Sequence, residues 1–115
     1  EVFLPQEARL YRWRGDIYLH LEQYDLSLAA YRTAHRLNPS YRSFLNLGGM
    51  LNTHAQNTED NKTKTALTEE SIRYFKEAAN FDRSFALPYI GLGVAYLRLK
   101  NLPLAYRYLR RAVRI

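Results

Sequence analysis

Leu10-Tyr11-Arg12-Trp13-Arg14-Gly15-Asp16-Ile17-Tyr18 and Tyr89-Ile90-Gly91-Leu92-Gly93-Val94-Ala95-Tyr96 decide the fold, because one overlays the other. With Gly15 set on Gly93, Tyr11 falls on Tyr89 and Tyr18 on Tyr96; downstream, Ser27 falls on Ala105, Tyr31 on Leu109 and Ala34 on Ala112. A middle copy reads Phe44-Leu45-Asn46-Leu47-Gly48, then Leu51, Ser71, Phe75 and Ala78. Within each copy, large apolar residues recur at the spacing of an amphipathic helix. Small residues on the first helix (Gly15, Gly48, Gly93) and on the second (Ala34, Ala78, Ala112) let the pair approach closely. Such a hairpin cannot bury its apolar face alone, so neighbouring copies must stack.

These residues resemble the tetratricopeptide repeat, two antiparallel helices of about 34 residues with an aromatic, Leu-Gly, Tyr, Ala, Phe/Tyr, Ala, Pro signature. The likeness spans about residues 8–115; Arg14 departs from the usual Leu, and Arg83 from the closing Pro of the second unit. It implies an all-α, right-handed α-solenoid of about six helices with a concave inner side. A single domain is expected over 1–115, with repeats at about 8–40, 41–85 and 86–115. Helices are expected near 7–21, 24–37, 41–54, 67–81, 86–99 and 102–114. Asn38-Pro39 ends the second, while Pro88 and Pro103 sit harmlessly in first turns.

The repeat spacing is uneven. First-helix glycines lie 33 and then 45 residues apart, second-helix alanines 44 and then 34. Eleven extra residues therefore fall between the two helices of the middle unit. The polar stretch His54–Thr65 has no apolar period and predicts an inserted mobile surface loop at about 54–66. Its Asn61-Lys62-Thr63 matches an N-glycosylation acceptor and is read as a chance match.

Composition excludes several chemistries. There is no cysteine, hence no disulfide framework, thiolate metal site or cysteine nucleophile. No apolar run is long enough to span a bilayer. The start, Glu1-Val2-Phe3-Leu4-Pro5, lacks the basic and apolar segments of a signal peptide. The missing initiator Met and the end at Arg114-Ile115, inside a helical pattern, read as a piece of a longer protein. His20, His35 and His54 fall on different elements without metal-ligand spacing, and Ser27 and Ser71 occupy packing positions. Gly91-x-Gly93 and Gly48-Gly49 follow no strand and are packing glycines, not phosphate loops. Neither enzymatic activity nor a cofactor is expected.

The net charge is +6, and 13 of the 17 basic residues are Arg. Arg107, Arg110, Arg111 and Arg114 share one face of the last helix, expected to point outward into solvent; with no recognition motif beside them, nucleic-acid binding is disfavoured. Five of the ten tyrosines fall on repeat-signature positions, so Tyr richness is framework.

The concave side is the better candidate. Its first helix supplies Arg9, Arg12, Trp13, Asp16 and His20, with inter-repeat packing the alternative role of Trp13. Its second supplies Arg42, Leu45, Asn46, Gly49, Asn52 and Thr53, and its third Leu87, Ile90, Gly91, Val94 and Arg98. Arg and Trp are enriched at binding hot spots. The expected partner is a protein segment whose acidic or polar part meets Arg9, Arg12 and Arg42 and whose apolar part meets Leu87, Ile90 and Val94. Some members of the family hold chaperone C-terminal carboxylates with a Lys/Asn, Asn, Lys/Arg clamp. Here only Asn46 matches, with Arg12 a partial substitute; Asp16, Leu87 and Gly91 occupy the other positions, which disfavours that function. The alternative reading is an assembly module, a possible homo-oligomer that associates through an uncapped last hairpin.

Overall fold

The computed structural model describes residues 5–115; residues 1–4, within the stretch read above as lacking a leader pattern, lie outside it. The described residues form α1 (Pro5–His20), α2 (Tyr24–Leu37), α3 (Tyr41–Gln56), α4 (Asn61–Phe81), α5 (Leu87–Arg98) and α6 (Leu102–Arg114). Consecutive helices pair as α1 with α2, α3 with α4 and α5 with α6. The hairpins then stack, α2 on α3, α4 on α5 and α3 on α5. The body is 20 Å thick, two layers of helices each about 10–12 Å across. Among the described residues no helix is long and apolar enough to cross a membrane.

The core lies between hairpins. Tyr31, Leu47, Met50 and Leu51 join the first to the second, and Ile72, Phe75, Ala79, Tyr89, Leu92, Ala95 and Ala112 the second to the third. The close approach inferred from the glycines is present: a Cβ on Gly15 would meet the Tyr31 ring at 2.5 Å. Phe75 is wedged between Gly48 of its own hairpin and Gly91 of the next. Ser27 and Ser71 are fully buried, and Ser27 Oγ donates to the Gly15 carbonyl at 2.9 Å, tying α2 to α1.

The first and third hairpins turn identically. Glu22 (φ 58°) and Lys100 (φ 61°) are left-handed. In each case the following N–H (Gln23, Asn101) reaches the carbonyl five residues back, a Schellman closure.

The inserted stretch corrects the expectation. Residues 54–66 are not a loop: α3 continues to Gln56 and α4 begins at Asn61. By the repeat register, three of the eleven extra residues lengthen α3, seven lengthen α4 and one lengthens the connection, Asn57–Asp60. The polar residues that suggested a loop act as caps. Asp60 accepts from Thr63 N at 2.9 Å and from its hydroxyl at 2.6 Å, while Thr58 Oγ1 donates to the His54 carbonyl at 2.6 Å. The projecting end is held to the first hairpin, with the His54 ring stacked 4.4 Å from Tyr24 and Asn57 Nδ2 donating to the Tyr24 hydroxyl at 2.7 Å.

Candidate functional site

The first helix of each unit carries the expected partner face, and the repeat register aligns its positions: Arg9, Arg42 and Leu87; Arg12, Leu45 and Ile90; Asp16, Gly49 and Val94. Arg9 and Arg12 from α1 converge with Arg42 and Asn46 from α3 on one cavity of about 140 Å³. Tyr31 and Asn38 also line it, and among the described residues no carboxylate does. Its α3 side is built by a capping box: Ser43 N donates to Ser40 Oγ at 3.1 Å and Ser40 N to Ser43 Oγ at 2.9 Å. His35 Nδ1 lies 2.6 Å from the same Ser43 hydroxyl, and burial lowers the pKa of its imidazole. The N-terminal dipole of α3 adds positive potential to the three guanidinium groups.

Asp16 does not line that cavity. Its carboxylate accepts the Tyr31 hydroxyl. Burial first, and then that acceptor, push the phenol far above its ordinary range. Trp13 is not packed between hairpins of this chain: it is 51% exposed, with the Arg9 guanidinium 6.0 Å from its ring. Leu87, Ile90 and Val94 form a separate exposed apolar stripe on α5, and His20 is exposed at the end of α1.

Asn52 and Arg98 are engaged with each other. Arg98 Nη1 donates to Asn52 Oδ1 at 3.0 Å and Nη2 to the Asn52 carbonyl at 3.2 Å. Asn52 Oδ1 also accepts from Ser71 Oγ at 3.0 Å, and Asn52 Nδ2 donates to the Gly91 carbonyl at 3.3 Å. Thr68 Oγ1 accepts from Arg98 at 3.3 Å. These side chains stitch the second hairpin to the third. The sequence reading missed Ser40, Ser43, Thr68 and Tyr31 as members of these networks; Ser40-x-x-Ser43 just after Pro39 was a readable capping signal.

The arginines of α6 differ from expectation in one respect. All four are exposed, but Arg111 does not point away from its neighbours: its guanidinium lies 4.8 Å above the ring of Tyr89 in α5. Among the described residues no group of three or more His, Asp or Glu side chains is placed to hold a metal ion.

Residues 8–41, the first hairpin and its exit, match the family model for the tetratricopeptide repeat, and the six-helix repeat architecture fits that family. The second and third hairpins carry the same wedge geometry, Phe75 on Gly48 and Leu109 on Gly93, as Tyr31 on Gly15. No curated protein matches the chain. Tetratricopeptide repeats generally mediate protein–protein interaction.

Proposed function

We propose that the chain is a non-catalytic scaffold that takes a segment of a partner protein along the face formed by α1, α3 and α5. The acidic or polar part of the segment meets Arg9, Arg12, Arg42 and Asn46; its apolar part meets Leu87, Ile90 and Val94. The observation that carries this reading is the convergence of three arginines from two hairpins on a cavity that no carboxylate of the described residues lines. Guanidinium forks of this kind suit carboxylates better than lysines would. Peptides selected from a random display library supply the test. Selected sequences should pair an acidic cluster with apolar residues, and Arg12→Glu with Arg42→Glu should weaken them at least about tenfold in fluorescence polarisation. Unchanged affinity would refute the reading.

A second reading, self-association, is favoured by the two ends of the stack. On α1, Leu10 (48% exposed) and Ile17 (58% exposed) stand where the later hairpins bury Ser43 and Met50 or Pro88 and Ala95. On α6, Leu102, Tyr106 (67% exposed) and Val113 stand where α4 buries Thr68, Ile72 and Ala79. The two open edges are the halves of an interface that the chain itself forms twice, so a second copy stacked head to tail continues it. Sedimentation equilibrium should find a mass that rises with concentration and returns to monomer in Ile17→Glu and in Val113→Glu. A monomer at every concentration would eliminate this reading.

A further inference from the structure

We propose that the groove between α4 and α6, on the layer of second helices and away from the face described above, binds an acidic amphipathic segment of a protein partner. α4 and α6 make no substantial contact with each other; both rest on α5, and the space between them is an open groove of about 1090 Å³. Its floor is apolar, made by the buried Ala79, Tyr89 and Leu92. Its walls are cationic: Lys76 on α4 and Arg83 just beyond it, facing Arg107, Arg110, Arg111 and Arg114 on α6. Among the described residues no Asp or Glu lines it.

The charge is local to this end of the protein. Residues 83–115 contain seven basic residues and no acidic one, whereas residues 1–82 contain ten basic and eleven acidic. Among the described residues the one ion pair is Arg32–Glu70, at 3.1 Å, and it bridges α2 and α4. By the repeat register Arg32 stands at the position of Lys76, and Glu77 on α4 at the position of Arg111 on α6. Arg111 is further positioned by its place over the Tyr89 ring.

An acidic protein segment fits this surface better than a nucleic acid. Five of the six cations are arginines, whose planar forks pair with carboxylates in a bidentate way. Apolar side chains of an amphipathic helix would meet Ala79, Leu92, Pro103 and Ile115. Base stacking needs open aromatic faces. Tyr89 is buried beneath Arg111, and Tyr108 is stacked flat on Tyr96 at 5.6 Å, which leaves Tyr106 as the exposed ring.

The test uses the whole chain and a labelled helix-forming peptide of Glu and Leu at amphipathic spacing. A Lys-for-Glu peptide and an oligouridylate of equal length are the comparison probes. Anisotropy at about 50 mM salt should find the Glu/Leu peptide bound, with affinity falling as salt rises. Arg107→Glu with Arg110→Glu and Arg114→Glu should weaken it at least about tenfold, and the three Arg→Gln changes by less. All three residues are exposed, so circular dichroism should find these variants folded. Arg12→Glu with Arg42→Glu should weaken the Glu/Leu peptide by less than the α6 reversals do, which separates this groove from the α1–α3–α5 face. The proposal is overturned by any of three results: no binding of the Glu/Leu peptide, equal binding by the triple variant, or tighter binding of the oligouridylate.

Discussion

Two glycines on adjoining helices give opposite outcomes under the same substitution. In Gly91→Ala the new Cβ would stand 2.5 and 2.6 Å from Cε1 and Cε2 of Phe75 and closer still to Cζ. Carbon atoms sit comfortably at about 3.5–4.0 Å, so the ring or α5 must shift by roughly an ångström. Phe75 is 5% exposed and shares its cluster with Ile72, Ala79, Leu92 and Ala95, so it cannot swing aside. Overpacking of this kind costs about 1–3 kcal/mol, against about 1 kcal/mol gained by replacing a helical glycine with alanine. The net is a loss of up to about 2 kcal/mol. Gly49 has no atom within 4 Å of its would-be Cβ, so Gly49→Ala collects the propensity gain alone. Urea titrations followed by far-ultraviolet circular dichroism should give midpoints that move down for Gly91→Ala and up for Gly49→Ala, with equal slopes. Adding Phe75→Leu to Gly91→Ala should recover part of the loss as a coupling term. If Gly91→Ala stabilises as much as Gly49→Ala does, Phe75 is not the wedge between the second and third hairpins, and the stacking described here is wrong.

Glu22→Gly and Lys100→Gly should each raise stability by about 0.5–1 kcal/mol, because both residues hold the left-handed conformation that glycine adopts without a Cβ penalty. Asn52→Ala should cost about 1–3 kcal/mol by unfolding midpoint, since it strips partners from Arg98, Ser71 and the Gly91 carbonyl together. Burial lowers the pKa of His35 below 6.5, so the unfolded chain takes up that proton first. Stability should be whole above about pH 6.5 and fall as pH drops through the lowered value; His35→Gln should remove that slope. The Thr63 hydroxyl and then its N–H hold the Asp60 carboxyl below its usual range. Its contribution to α4 should therefore be present above about pH 4 and vanish as pH falls through the lowered value. Asp60→Ala should cut helicity at neutral pH.

The hairpins were legible because close helix approach demands small residues at a fixed spacing, and Gly15, Gly48 and Gly93 sit where Tyr31, Phe75 and Leu109 must enter. The extension of α3 and α4 was not. Over residues 54–66 the two helices face mainly solvent, so selection for an apolar stripe is absent and polar residues such as Lys62, Thr65 and Gln56 are tolerated on helix. What marks the boundary is capping at Asp60, a signal without periodicity. Arg9, Arg12 and Arg42 were legible as a group through the repeat register alone. Asn52 and Arg98 read as free groove residues because their pairing spans 46 positions and two hairpins. Lys76 and Arg83 were not legible as part of a charged groove for the same reason: their partners there lie on another hairpin, and no single helix carries the pattern.

The two proposed surfaces meet in α5 and are separable there. Ile90 and Val94 project from it on the exposed side, whereas Tyr89 and Leu92 turn inward to floor the opposite groove. A helix presents residues three and four apart on one side, so these two pairs belong to different sides by geometry. Both surfaces can then be occupied at once, and each can be disabled alone. Ile90→Asp removes apolar contact from the α1–α3–α5 face without touching the floor of the groove. Arg107→Glu changes the groove without approaching Arg12 or Arg42. If Ile90→Asp weakened the Glu/Leu peptide as much as the α6 reversals do, the two sites would be one surface, and the division of charge between the ends of the stack would need another explanation.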